Sequence, residues 1–315
     1  MTLSQAIQQY VGLKQAMGCR FHAESVILKA FCRAMGDVSL REVEAERVMV
    51  YIAGNGEVTR FWHRKHEALR GFYRFAIGRG YATSSPLPEK LPRPSRTFTP
   101  YIYSPDDLFR LVRATEQRFN SRTKLHALTL RTLLLLLYGA GLRISEALHL
   151  APRDVDLPNS LLTIRESKFY RTRWVPVGSR LTDVLRGYEK ERNRWGYPPG
   201  AIETFFVTRN GEPVTRSQAE MAFSHLRTVA NVRRHDGARY QPRLHDLRHS
   251  FAVYRLVAWY REGADVQRLL PQLSTYLGHV HIAATQRYLT MTPDLLHQAS
   301  MRFERYARPT EISHD

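Results

Sequence analysis

Over the first 80 or so positions apolar residues recur at three- and four-residue intervals. This predicts helices over Leu3 to Met17, Ala23 to Met35, Leu40 to Ile52 and Val58 to Ile77. Gly18, the pair Gly36-Asp37 and the cluster Gly54-Asn55-Gly56 punctuate them, as residues that end helices do. Residues 1–83 therefore read as a small all-helical domain. The periodicity then disappears. Between Ser84 and Pro100 stand Pro86, Pro88, Pro92, Pro94 and Pro100 with few apolar residues, a composition that holds neither a helix nor a central strand. A proline-rich linker over residues 84–103 follows from it. Beyond residue 104 the pattern is mixed. Helical spacing returns over Pro105 to Glu116, Leu125 to Tyr138 and Ile144 to Leu150, and a hairpin fits Ser160 to Arg165 against Trp174 to Val177. A short strand fits Thr204 to Val207 before the Asn210-Gly211 turn. Helices then fit Ser217 to Ala230, Asp246 to Arg261, Val266 to Leu277, Ile282 to Leu289 and Pro293 to Tyr306. The fold class expected is mainly α with a small antiparallel β-sheet: a helical domain followed by a mixed α+β domain over residues 104–315.

Charge narrows the partners. A formal net charge of +18 attracts polyanions, with DNA or RNA foremost. A membrane is the rival, but the richest apolar run, Leu133 to Leu137 within Leu128 to Tyr138, is too short to cross a bilayer. The opening MTLSQAIQQYVGLKQ lacks a basic start followed by an apolar stretch, so no secretory signal is expected and a cytoplasmic, nucleoid-associated bacterial protein is. Two cysteines, Cys19 and Cys32, without a CxxC pair suggest neither a disulfide framework nor a zinc ribbon. The fourth helical stretch interleaves Arg60, Arg64, Lys65, Arg70 and Arg74 with Phe61, Trp62, Phe72, Tyr73 and Phe75. Those cations fit a DNA backbone, and equally the solvated face of a helix whose aromatics are core. Lys90, Arg93 and Arg96 make the linker basic as well, so the two domains could close on a duplex as a clamp.

Four segments of the second domain concentrate candidate chemistry: YGAGLRISEALHL (Tyr138 to Leu150), ESKFYRTRWVPV (Glu166 to Val177), LHDLRHSFAV (Leu244 to Val253) and LGHVHIAATQRYLT (Leu277 to Thr290). Arg143 follows a glycine break beside apolar positions, where a guanidinium needs an anion. Glu146 three residues on can be that anion, or Arg143 can hold a phosphate bidentately. His245 and Arg248 share one helical face, and a common anionic ligand would reconcile an imidazole with a guanidinium. A zinc reading of His245 and His249 fails because Asp246 stands where HExxH needs glutamate and Arg248 would repel the cation. No metal site is expected.

Taken in order, GLRISEAL, a lysine before VPV, HDLRHSFA, LGH and a tyrosine nine residues past that histidine resemble the catalytic domain of tyrosine recombinases, the phage integrase family. The resemblance covers about residues 104 to 300, and the helical first domain with its linker resembles the family's core-binding domain. It implies that Arg143 and Arg248 grip the scissile phosphate, His245 assists proton transfer and Lys168 protonates the leaving 5′ oxygen. It further implies that His279 buttresses the phosphate, Glu146 holds its neighbours in place and Tyr288 is the nucleophile. Tyr276 is the rival nucleophile, but it precedes LGH, whereas the family's tyrosine follows it. Arg165, Arg171 and Arg173 compete with Lys168 on the hairpin, and Arg171 and Arg173 are candidate backbone contacts. His249 and His281 read as solvated or supporting groups. The implied reaction is cleavage and rejoining of DNA through a 3′-phosphotyrosyl link, without cofactor, for integration, excision or resolution of a mobile element. The implied partner is duplex DNA with an inverted-repeat core site, bound by a homotetramer on paired sites, with room for an accessory DNA-binding protein. The tail helix Pro293 to Tyr306 would dock on a neighbouring protomer or cover its own core. The alternatives are a type IB topoisomerase and a non-catalytic DNA-binding protein of the same fold.

Overall fold

The computed structural model describes the chain except for residues 20, 57, 93–98, 118–123, 166–171, 198–202, 239, 291–296, 298, 299 and 302–315. The chain forms two compact units, Met1–Phe98 and Thr99–Asp315.

The first unit is helical. Helices α1 (Leu3–Ala16), α2 (His22–Met35), α3 (Ala45–Ala53) and α4 (Arg60–Gly78) enclose one core. Thr2 caps α1 and Thr59 caps α4, each accepting a hydrogen bond from a backbone N–H that the first turn leaves unpaired. The third predicted helix is split. Leu40–Glu42 is a single 3₁₀ turn and α3 starts only at Ala45, because Val43 and Glu44 are extended. Trp62, Leu69, Phe72 and Tyr73 of α4 face the core, so three of the aromatics interleaved with arginine are packing residues, while Phe61 is exposed.

The second unit begins with α5 (Pro105–Gln117), α6 (Ala127–Ala140) and α7 (Ile144–Leu148). The strands β1 (Val155–Asp156), β2 (Leu161–Ile164) and β3 (Arg173–Pro176) form an antiparallel sheet in the order β1-β2-β3. There follow α8 (Ser179–Arg194), α9 (Arg216–Val229), α10 (Leu244–Arg261), α11 (Val266–Leu277) and α12 (Ala283–Gln286), then a 3₁₀ turn, Arg287–Thr290. Buried positions of α6 and α10 contribute to the two apolar clusters of this unit.

Several expectations change. The sheet gains β1, a two-residue strand that no alternation in the sequence marks. Thr204 to Val207 is not a strand; only Val207 makes an isolated bridge, to Pro213. Helix α8 is not anticipated, although Leu181, Val184, Leu185 and Tyr188 follow helical spacing; charged residues at half of its positions and Gly187 mask the pattern. The predicted helix Ile282 to Leu289 is instead a short α-turn followed by the 3₁₀ turn that carries Tyr288. The helix predicted over Pro293 to Tyr306 falls mostly outside the described residues, as do Lys168 and Arg171.

Candidate active site

Two helix ends make the floor of the site. Helix α6 stops at Ala140 with Gly141 at φ +60°, and α11 stops at Leu277 with Gly278 at φ +66°. Both glycines are needed for space as well as for backbone angle. A side chain at Gly141 would run into the Phe251 ring, and a Cβ at Gly278 would lie 2.8 Å from the Arg173 guanidinium.

Into this floor reach three arginines from three elements. Arg248, on α10, is 2% exposed and donates to the carbonyls of Gly141 (2.7 Å) and Leu277 (2.6 Å). Carbonyls at helix C-termini carry partial negative charge, which is how the fold tolerates a guanidinium there. Arg143, at the N-terminus of α7, donates to Gly278 O (2.7 Å) and to Glu146 (2.6 Å). Arg173, on β3, makes a two-pronged pair with Glu146 (3.0 and 2.8 Å) and donates to Tyr276 O (2.9 Å). Glu146 also accepts the backbone N–H of Arg143 at 2.9 Å, closing the first turn of α7 as an N3 glutamate does. Burial would raise the Glu146 carboxyl, but the hydrogen bonds and charge of Arg173, then of Arg143, outweigh it and hold the group at about 2. Glu146 therefore stays ionised.

The balance of charge is the informative feature. Among the described residues, three guanidinium groups converge on one carboxylate, and Arg248 stands 3.9 Å from it without a direct hydrogen bond. Burial and the neighbouring Arg143 lower the Arg248 pKa to about 10, which leaves it charged at neutral pH. Uncompensated buried charge costs several kcal/mol, on the order given for ions moved into low dielectric. The pocket thus carries a surplus of buried positive charge over its one carboxylate.

Around this cluster stand three histidines and a tyrosine. Tyr288 is 2% exposed, and burial raises its phenol while the charge of Arg248 pulls it back. The ring of His279 lies 6.1 Å from that of Tyr288 in a near-parallel stack, with Nδ1 2.7 Å from the Thr285 hydroxyl. His245 and His249 meet edge to face at 4.9 Å. Burial lowers His245 and His249 to about 4 and His279 to about 3, and Arg248 adds to the effect in each case, so all three rings are neutral at pH 7. Tyr276 is engaged elsewhere, donating to Pro176 O at 3.1 Å and stacking on Phe251.

Thus the structure brings together Arg143, Glu146, His245, Arg248, His279 and Tyr288. It also corrects one assignment. Arg173, expected as a DNA-backbone contact, has a side chain only 10% exposed and is committed to Glu146 and Tyr276, so it braces the pocket instead. The signal is present in the strand alternation. Arg173 and Val175 share the inner face, opposite Ile164 and Leu162, while Trp174 points outward. His249, read from the sequence as a solvated or supporting group, has its Nδ1 3.2 Å from the Tyr288 hydroxyl. On α4, Arg64 pairs with Glu24 and Arg70 with Glu67, Lys65 donates to Tyr51 O, and Arg60 and Arg74 are exposed. No group of residues fit to hold a metal ion occurs among those described, and none of the described helices is long and apolar enough to cross a membrane.

Comparison with known proteins gives this geometry a family. The phage integrase family profile matches residues 104–294. A Sinorhizobium fredii protein, y4rB, named provisionally as an integrase/recombinase, is 34% identical over 309 residues, covering 96% of this chain and 98% of its own. The tyrosine recombinase XerC of Oceanobacillus iheyensis is 28% identical over 286 residues, covering 88% and 86%. Among solved structures, the Tn1549 transposon integrase in complex with transposon right end DNA superposes with a TM-score of 0.69 at 17% identity, over 98% of this chain and 100% of that one. A lambda integrase tetramer bound to a Holliday junction gives 0.67 at 15% identity, over 91% and 77%. The chain belongs to the phage integrase family, and it is a tyrosine recombinase.

Proposed function

We propose that this protein is a site-specific recombinase that cuts and rejoins DNA through a 3′-phosphotyrosyl link on Tyr288. The observation that carries the reading is the surplus of buried guanidinium over carboxylate beside a buried phenol. A phosphodiester is an anion of the right size and geometry for paired guanidinium groups, and negative charge grows on its oxygens during attack. Arg143 and Arg248 hold the non-bridging oxygens, Arg248 already fixed by carbonyls at the ends of α6 and α11 and Arg143 by the Gly278 carbonyl and Glu146, so that little reorganisation accompanies the reaction. Glu146 and Arg173 set the height of Arg143. His279 steadies the Tyr288 ring from one side, and His245 completes the wall. Lys168, by the family resemblance, protonates the leaving 5′ oxygen. The phosphotyrosine bond conserves the energy of the broken phosphodiester, so an incoming 5′ hydroxyl can reverse the step without ATP.

The first unit and the net charge of +18 support binding of duplex DNA, with Arg60 and Arg74 exposed to meet phosphates and the 84–103 linker joining the two DNA-contacting domains. The transposon right end complex of the Tn1549 integrase and the lambda integrase tetramer on a Holliday junction support a mobile-element role and assembly as a tetramer on paired sites; an inverted-repeat core site and a bacterial cytoplasm follow only from the family resemblance.

A nicked duplex carrying the cognate site, whose short 5′ fragment diffuses away after cleavage, traps the covalent complex. Wild-type protein should accumulate the adduct on the 3′ phosphate, and Tyr288→Phe should bind the same duplex without forming it. An adduct persisting in Tyr288→Phe removes the assignment. Relaxation of any supercoiled plasmid at equal rate, irrespective of site, would favour a type IB topoisomerase.

A further inference from the structure

Tyrosine is a poor nucleophile while it keeps its proton, and its ordinary pKa near 10 means that the proton must leave during attack. Burial moves the Tyr288 phenol further from ionisation, so an acceptor has to be close. Of the histidines in the pocket, the one bonded to the phenol is His249, whose Nδ1 lies 3.2 Å from the hydroxyl with ring centres 5.5 Å apart. His245, one helical turn earlier on α10, touches His249 rather than Tyr288. His279 engages Thr285 through its Nδ1 and presents a ring face to the tyrosine.

We propose that His249 is the acceptor of the Tyr288 proton, a role resting on the assignment of Tyr288 as nucleophile. As the phenolic oxygen bonds to phosphorus, its hydrogen passes to His249 Nδ1. The bond from phosphorus to the 5′ oxygen breaks, and that oxygen takes its proton from the leaving-group acid. In the return step an incoming 5′ hydroxyl attacks phosphorus and gives its proton back to the leaving-group acid, the bond from phosphorus to the Tyr288 oxygen breaks, and the imidazolium of His249 restores that oxygen's hydrogen. No oxidant, metal or cofactor is consumed, and His249 ends each cycle as it began.

The surroundings of His249 explain when it acts. From its own helix and cap it faces Arg243, His245 and Arg248; Tyr288 lies across from it on the 3₁₀ turn, and His279 stands beyond that ring. Without DNA, burial and the two arginines disfavour an imidazolium, so the ring is neutral and ready to accept. A bound phosphate diester neutralises part of that positive field and makes the imidazolium tolerable. Proton transfer is thereby tied to occupancy of the arginine pocket, and Tyr288 stays protonated until DNA is in place.

The test compares single-turnover cleavage of the nicked duplex by full-length wild type, His249→Ala and His249→Asn, with DNA binding and thermal melting measured on each. Asparagine places a hydrogen-bonding atom close to the Nδ1 position but cannot take up a proton. Both variants should bind DNA and cleave about 10²- to 10⁴-fold more slowly, the usual range for removal of a general base. Their rates should climb with pH where wild type is level, and added imidazole should rescue His249→Ala. A substrate with sulfur in place of the bridging 5′ oxygen, which needs no leaving-group acid, should leave the defect uncorrected. Wild-type rates in both variants, a full rate in His249→Asn, a defect independent of pH, or full correction by the sulfur leaving group would each overturn the proposal. Tyr288→Phe in parallel separates the two claims: loss of its adduct together with rapid cleavage by His249→Ala dismisses His249 alone, whereas an adduct retained in Tyr288→Phe dismisses the nucleophile itself.

Discussion

The arginines of α4 and the arginines of the second unit's pocket are the same residue put to opposite uses. On α4, Arg60, Arg64, Arg70 and Arg74 keep their charge in water, where Arg64 and Arg70 pair with Glu24 and Glu67 across 3.3 and 3.6 Å. Exposed pairs of that kind are worth about 0–1 kcal/mol and are screened by salt. In the pocket, Arg248 and Arg173 are withdrawn from solvent and held by helix-terminal carbonyls and one shared carboxylate. Surface cations can raise DNA affinity without regard to sequence or chemistry. Buried ones cost stability, and in the function proposed Arg248 is kept for what it does to a phosphate while Arg173 braces the pocket.

Arg248→Met should separate the two uses most widely. Methionine fills much of the same space and removes a desolvated charge, so the melting temperature should hold or rise. Cleavage of the nicked duplex should fall by at least about 10²- to 10³-fold, the loss associated with one preorganised charge-stabilising group. A variant that melts normally and cleaves normally would show that the buried guanidinium is not catalytic. Next in size, Glu146→Gln leaves the arginines without their carboxylate. It should cost about 3–5 kcal/mol of stability, read by chemical denaturation, because breaking a buried ion network strands the remaining charges. Neutralising Glu24 or Glu67, the partners of the α4 arginines, should cost less than about 1 kcal/mol by the same measurement.

The pocket's histidines set a pH dependence whose sign follows from their depressed pKa values. In the unfolded chain they titrate near the ordinary value of about 6.5, whereas in the fold His245 and His249 sit at about 4 and His279 at about 3. Between these limits the unfolded state binds more protons. Stability is therefore fully present above pH ~6.5 and declines as pH falls toward 4, by up to about 1.4 kcal/mol per pH unit for each histidine. His66 of the first unit, lowered mainly by burial, adds in the same direction. Thermal melts from pH 8 to 4 should show this decline, and saturating DNA should flatten it, since a phosphate favours the protonated rings. The smallest effect belongs to α4. Arg60→Ala with Arg74→Ala should weaken DNA binding uniformly across sequences and lower the salt slope by about 1 for each phosphate no longer neutralised. Single-turnover cleavage at saturating protein should not change.

The sequence exposes the elements whose apolar periodicity is long and uninterrupted. Helices α1, α2, α4, α6, α10 and α11 lie within a few residues of the positions that spacing predicts. It conceals α8, where charged residues outnumber the four apolar positions that mark its buried face, and β1, which is two residues long and owes its strand geometry to pairing with β2. In the candidate site, Arg143, Glu146, His245, Arg248, His279 and Tyr288 are found through ordered motifs, since they lie on separate elements and no local spacing brings them all together. The partnerships are not legible. Arg173 looks like a free hairpin cation because the face it takes on β3 is a choice that only register with β2 decides. His249 looks incidental because its importance comes from a tyrosine 39 positions away in sequence.

Locating the covalent bond decides whether the phenol beside the arginine pocket is the group joined to DNA. The adduct trapped on the nicked duplex would be digested with protease and nuclease and the nucleotide-bearing peptide sequenced by mass spectrometry. A 3′-nucleotidyl phosphate on Tyr288 is the expected result. The same modification on Tyr276, or on any residue outside the Arg287–Thr290 turn, would contradict it.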